Sequence, residues 1–232
     1  MKEYKLLTAV GNIKMIRNPD GKMEPVVICD YNSFPLDPQE MAVWNILIWK
    51  IMDMKALEHA YERLIPTLPA LRRSLKFCIE RMQALGIVAV GTGKTEEEAR
   101  YDLLSDLYIM PADVSFRARM KTFVKLVVLK GISPKRAASL LRRYDPSFLE
   151  REIVWISEID PISTAEPIKC LESDIGDEIT EDNLMDAICG DGVSTSDNLP
   201  FSMKESPFML PVITAVSNLY LHRQIIFDRV TC

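Results

Sequence analysis

Between Asp37 and Thr95 the chain sets three capped helical segments, a short apolar strand and a Gly-rich turn in that order, which limits its folds more than any other feature. Asp37-Pro38-Gln39-Glu40 joins an N-cap, a proline at the first helical position and a glutamate able to reach back. These predict a helix from Pro38 to about Met52. It is apolar on nearly every side (Met41, Val43, Trp44, Ile46, Leu47, Ile48, Ile51), the pattern of a central buried helix. Asp53 caps a second helix, residues 54 to 65, with Leu57, Tyr61, Leu64 and Ile65 inward and Pro66 ending it. Thr67 opens a third, in which Leu68, Leu71, Leu75, Cys78, Ile79, Met82 and Leu85 recur at steps of three and four. Arg73, Lys76, Phe77 and Glu80 lie opposite that stripe, with Arg72 at its border. Gly86 closes the helix in a left-handed conformation. Ile87–Val90 then reads as a strand running into Gly91-Thr92-Gly93-Lys94.

Around this block the signals are simpler. Two β-like stretches, residues 5 to 16 and 23 to 29, flank Asn18-Pro19-Asp20-Gly21, a turn signal that predicts an N-terminal hairpin. Thr95 and Glu98 repeat the capping pattern before a fourth helix, residues 96 to 110. Beyond Pro111 helices are expected over residues 116–130, 133–144 and 145–159, punctuated by Gly131, Ser133-Pro134 and Asp145-Pro146. Residues 160–206 are acidic and loop-rich, with one short helix expected over 181–188. A last helix, residues 211 to 222, precedes a β-like tail, 224 to 230. No internal repeat at a fixed period is visible. The expected fold is α+β and mostly α. A first part, 1–111, holds the hairpin and the three-helix block; a helical C-terminal part, 112–232, carries the acidic segment.

With 48% apolar and 26% charged residues in 232, a core is available without metals or disulfides. Five cysteines, odd in number, widely spaced and without a CxxC pair, argue for reduced, mostly buried thiols in a cytoplasm. The N-terminus lacks the apolar core of a signal peptide, and the apolar run at Val43–Trp49 is too short to span a bilayer, so a cytoplasmic protein without membrane partners is expected. The net charge of −5 hides an uneven distribution. Residues 112–152 hold ten Lys/Arg against four Asp/Glu, and residues 153–206 two against thirteen. Local fields, not the global sign, steer a phosphate backbone.

A helix that reads DNA needs an outer face whose donors meet phosphates and base edges. Arg72, Arg73 and Lys76 lie in the first half of helix three, and Lys94 lies on the turn after the strand. A solvated amphipathic helix carrying three cations gives the same pattern. Residues 37–95 resemble the winged helix-turn-helix domains of small bacterial transcriptional regulators, in helix three, Gly86 and the strand that follows. The resemblance covers about a quarter of the chain. It implies a DNA-binding transcriptional regulator, with Arg72, Arg73 and Lys76 on base and phosphate, Lys94 as a wing residue, double-stranded DNA as partner, and a C-terminal part that dimerises or senses. The sequence departs from the pattern after Lys94, where a second wing strand is due and Thr95-Glu96-Glu97-Glu98-Ala99 starts a helix. Either the wing is reduced or the N-terminal hairpin completes the sheet.

Residues 130–141 form a second candidate helix-turn-helix entry, in which Lys135, Arg136, Arg142 and Arg143 give a basic surface able to contact phosphates. The competing class is a protein–protein adaptor on the same scaffold, with residues 160–206 as its partner-binding segment. Gly93-Lys94-Thr95 suggests a phosphate-binding loop, but the position that needs the first glycine is Val88. His59 and His222 have no Cys, Ser or acidic partner at a recognisable spacing, and the carboxylates of residues 172–191 do not match a calcium loop. No catalytic set, metal or cofactor is expected.

Overall fold

The computed structural model describes residues 3–67, 73–112, 144–173 and 198–229. In chain order these form β1 (Tyr4–Ala9), β2 (Asn12–Arg17), β3 (Met23–Cys29), β4 (Asn32–Pro35), α1 (Pro38–Leu47), β5 (Met52–Asp53), α2 (Met54–Glu62), α3 (Leu75–Ala84), β6 (Val88–Gly93) and α4 (Glu96–Leu104). There follow β7 (Tyr108–Pro111), α5 (Phe148–Ile159), β8 (Ile162–Ser163), α6 (Ala165–Glu172), α7 (Leu199–Ser202), α8 (Met209–Leu221) and β9 (Ile225–Asp228). The fold is α+β, with three antiparallel three-stranded sheets ordered β5-β1-β6, β2-β3-β4 and β8-β7-β9 among the described residues.

The first and third sheets follow one plan. In each, a central strand pairs with a two-residue strand lying between two helices, and with a strand that follows a later helix. The registers coincide. Leu7 lies opposite Met52 and Val90, as Ile109 lies opposite Ile162 and Phe227. Leu6 faces Asp53 and Gly91, as Tyr108 faces Ser163 and Asp228. The same number of residues separates N-cap from short strand in both, Asp37 to Met52 and Ser147 to Ile162. Both N-caps form a capping box, with Glu40 and Glu150.

The later helices also end alike. After α3, Gly86 N–H donates to the Gln83 carbonyl and Ile87 N–H to that of Met82. After α8, Arg223 N–H donates to Tyr220 and Gln224 N–H to Leu219. Gly86 (φ 76°) and Arg223 (φ 59°) take the same left-handed seat. Unit one (β1, α1, β5, α2, α3, β6) and unit two (β7, α5, β8, α6, α8, β9) are thus two versions of one design. The repeat lies in register and caps rather than in residue identity, which is why the sequence hid it.

Several expectations are corrected. Residues 5–16 break at Gly11, whose positive φ (89°) turns the chain; β1 then joins the first sheet and only β2 pairs with β3. The sheet containing β6 is therefore completed by the N-terminal strand β1. Helix one ends at Leu47, not Met52, because Trp49 adopts a left-handed conformation (φ 63°) and the chain re-enters as β5. The described start of α3 is Leu75, capped by the Ser74 hydroxyl, while Ile65–Thr67 forms a 3₁₀ turn. Helix four stops at Leu104, and Tyr108–Met110 lie in a strand because Ile109 pairs on both sides. Within the acidic segment, β8 and α6 are regular and bury Ile162, Ala165, Ile168 and Cys170. The helices expected over residues 116–130, 133–144 and 181–188 fall outside the described residues, apart from Tyr144. Met209–Leu221 and Ile225–Asp228 match the expected last helix and tail closely.

The units share one hydrophobic core. α4 packs on β6 and β1 and also touches α8. A Cβ added at Gly91 would lie 2.3 Å from both the Ala99 carbonyl oxygen and the Leu103 nitrogen; one at Gly93 would lie 2.4 Å from the Ala99 nitrogen. These glycines let a helix approach a strand, and that close contact is their use here. From unit two, the buried Tyr220 hydroxyl accepts from Trp49 N–H (3.0 Å) and donates to the Ala9 carbonyl (3.1 Å). Burial pushes this phenol up to about 12.

Candidate nucleic-acid interface

The N-terminus of α1 and the start of α3 meet at a small charged cluster. Asp37 Oδ1 accepts the N–H groups of Gln39 and Glu40 (2.9 Å each), and Glu40 Oε2 accepts the Asp37 N–H (3.2 Å). The other Glu40 oxygen accepts from both Arg73 (3.1 Å) and Arg81, and Arg73 also reaches Asp37 (3.3 Å). Glu40 is fully buried, so two guanidinium groups compensate a carboxylate that solvent does not reach. Gln39 Nε2 donates to the Arg73 carbonyl (2.6 Å), fixing the backbone just before α3. The Arg73 guanidinium sits 5.5 Å from the centre of the Phe77 ring.

Of the residues expected at a DNA surface, Arg73, Lys76 and Lys94 are described, and all three are exposed. Arg72, Lys135 and Arg136 lie outside the described residues. Arg73 is committed to Asp37 and Glu40. Lys76, with a side chain 80% exposed, approaches Glu80 at 3.7 Å. Such an exposed pair contributes little and opens readily. Lys94 stands where β6 meets α4, its N–H donating to Glu98 (2.8 Å), and β6 brings Lys5, opposite Thr92, to the same sheet end. Arg73 thus precedes α3 instead of lying in its first half, and Arg73, Lys76 and Arg81 are balanced by Asp37 and Glu40 at the start of α1 and by Glu80 on α3. Sequence reasoning missed Arg81 and the reach of Glu40 across helices. The capping box announced Glu40 but not its second oxygen's partners.

Unit two treats the same positions differently. Aligned on Gly86 and Arg223, the seats of Lys76 and Glu80 hold Ile213 and Ser217, both buried. The seat of Arg81 holds the neutral Asn218, whose side chain favours the ionised Glu150 where Arg81 pairs with Glu40. Glu150 also accepts from the Tyr144 hydroxyl (2.8 Å) and the Ser147 N–H (2.7 Å). Burial alone raises its pKa, yet these hydrogen bonds outweigh it and the carboxyl titrates below its ordinary value. α8 therefore buries a wider arc than α3, but the seats of Arg73 and Phe77 hold Leu210 and Thr214, which stay exposed in unit two as well.

Other chemistry is quiet. Cys29, Cys78 and Cys170 are free and buried, as expected of them. Burial foremost pushes Cys29 and Cys170 up to about 12, and burial followed by the Glu40 and Asp37 charges raises Cys78, so these thiols stay protonated. Among the described residues no group of three or more His, Cys, Asp or Glu is placed to hold a metal. None of their helices is long and apolar enough to cross a membrane. His222 stacks on Tyr144 at 3.8 Å, and His59 lies in α2. Comparison with protein-family models, with curated proteins and with solved structures finds no match.

Proposed function

We propose that the chain is a DNA-binding regulator of the winged-helix type, with unit one as its reading module. The observation that carries this reading is the exposed outer face of α3, available along Lys76 and Phe77, with Lys94 exposed at the turn into α4. Element order supports it: helix, short strand, helix, helix and strand, with β1 seated in the sheet where a second wing strand is due. On this reading Lys76 and Lys94, together with Arg72, meet phosphates, while Arg73 and Arg81 hold α3 at its angle on α1. A duplex binds in competition with the weak Lys76–Glu80 pair.

Fluorescence anisotropy with random-sequence and genomic duplexes tests it. Log affinity should fall linearly with log salt, by about 0.9 per phosphate neutralised. Lys76→Ala and Lys94→Ala should each lower that slope by about one without changing thermal stability. Absence of salt-dependent binding to any duplex, or slopes unchanged in both variants, removes the proposal. The charge balance on α3 and the half-exposed Phe77 favour a second reading, an adaptor whose α3 face docks a protein. Phe77→Ala would then abolish partner capture, with DNA binding absent throughout.

A further inference from the structure

The β2–β3 ribbon is the least covered part of the described fold. All six β2 residues are exposed, and so are Met23, Glu24 and Pro25 opposite them. Ile13, Met15 and Met23 are 42%, 55% and 52% exposed, an unusual cost for apolar side chains on a small arm. Around them stand Lys14, Arg17 and Lys22, against Asp20 and Glu24. Glu24 is engaged by the Asn18 side-chain amide (2.8 Å), and Asn18 Oδ1 accepts the Lys22 N–H (2.9 Å), so the turn that displays Arg17 and Lys22 is braced from within.

The ribbon has a direction. At its base Cys29 approaches the Gly86 carbonyl, just past the end of α3. β4 then runs from Asn32 to Pro35, and two residues later Asp37 pairs with Arg73, just before the start of α3. β4 thus travels from the C-terminal to the N-terminal end of α3. Val26 lies opposite Pro35, and three more residue pairs carry β2 and β3 onward, about 10 Å at strand rise. The ribbon tip therefore projects toward the end of α3 that would enter a groove.

Building on the function proposed above, we propose that this ribbon is a second duplex-DNA contact, flanking the groove met by α3. Arg17, with Lys22 at the turn, meets phosphates or minor-groove edges, and Ile13, Met15 and Met23, on the ribbon face that Arg17 shares, lie against the sugar backbone. A face that sets Arg17 beside Ile13, Met15 and Met23, with Lys22 at its tip, suits a polyanion with apolar sugars better than it suits a purely apolar partner surface.

The test is anisotropy of the full chain with a labelled random-sequence duplex at several salt concentrations, alongside sedimentation for oligomeric state. Arg17→Ala with Lys22→Ala should weaken binding and reduce the salt slope by about two. The charge-preserving pair Arg17→Lys with Lys22→Arg should restore that slope, and Met15→Ser with Met23→Ser should weaken binding with the slope retained. If the wild type binds and the alanine pair binds equally with an unchanged slope, the ribbon proposal falls while the reading of α3 stands. If the serine pair turns a dimer into a monomer and leaves DNA binding intact, the ribbon is a surface for a second copy and the proposal is overturned. If the wild type binds no duplex, both proposals fall together.

Discussion

Unit one and unit two share strand register, capping box and helix ending, yet they spend the third helix differently. α3 keeps its outer face in solvent and is tied to α1 through Glu40, by Arg73 just before its start and by Arg81 in its last turn. α8 buries the seats of Lys76 and Glu80, with Ile213 and Ser217 inside, keeps Leu210 and Thr214 in solvent, and sends Tyr220 into the neighbouring unit. One frame therefore serves two purposes: display in the first unit, attachment in the second. The constant is a glutamate at the third helical position, and what differs is its partners, two arginines in unit one and a tyrosine hydroxyl in unit two.

The contrast is broken or sharpened by four sets of variants. The largest effect is expected at Gly91, where unit two carries Asp228. Gly91→Ala drives a Cβ into the backbone of α4 and should cost more than about 3 kcal/mol in urea unfolding, at or beyond the upper end for overpacking. A cost below about 1 kcal/mol would show that α4 is free to move off the sheet.

Next comes the glutamate pair. Glu40→Ala should cost about 3 kcal/mol, at the low end for breaking a buried ion pair because both arginine side chains are 41% exposed. Glu150→Ala, which removes hydrogen bonds to a charged group, should cost about 2 kcal/mol. Added salt should shrink the first cost and leave the second nearly unchanged; equal salt response would erase the difference between the units. Glu150 also fixes a pH dependence. Its folded pKa is depressed, so its contribution is fully present above the ordinary value of 4.5 and is lost as pH falls through the lower folded value. Acid unfolding of Glu150→Gln should lack that component.

Tyr220→Phe leaves the Trp49 N–H and the Ala9 carbonyl short of a partner and should cost about 1–3 kcal/mol. Hydrogen exchange should quicken at residues 48–52, which are otherwise remote in sequence. Unchanged exchange there would mean that α8 does not hold unit one's turn. The smallest effects belong to the left-handed seat. Gly86→Ala should destabilise by about 1 kcal/mol, and Arg223→Gly should be neutral or stabilising by less than that. A stabilising Gly86→Ala would contradict the shared helix ending.

Local chemistry made much of this readable from the chain alone. Asp37-Pro38-Gln39-Glu40, Asp53, Gly86, the Asn18–Gly21 turn and the last helix and strand all lie where residue type and spacing put them, because caps and turns are satisfied within a few residues. The outward face of α3 was legible for the same reason: a period of three and four names the buried side and so its opposite. Residues 108–111 were not, since Tyr108, Ile109 and Met110 satisfy a helical pattern as easily as a strand, and pairing with Ile162 and Phe227 chose the strand.

What the amino-acid order determined, then, is the set of caps, turns and apolar stripes, each closed by hydrogen bonds over short distances. Long-range packing settled which strand sits at the centre of each sheet, that two units repeat one register, and where the charge of Glu40 is answered. Those choices depend on contacts between residues tens to hundreds of positions apart, and no local pattern carries the entropy cost or the gain of making them.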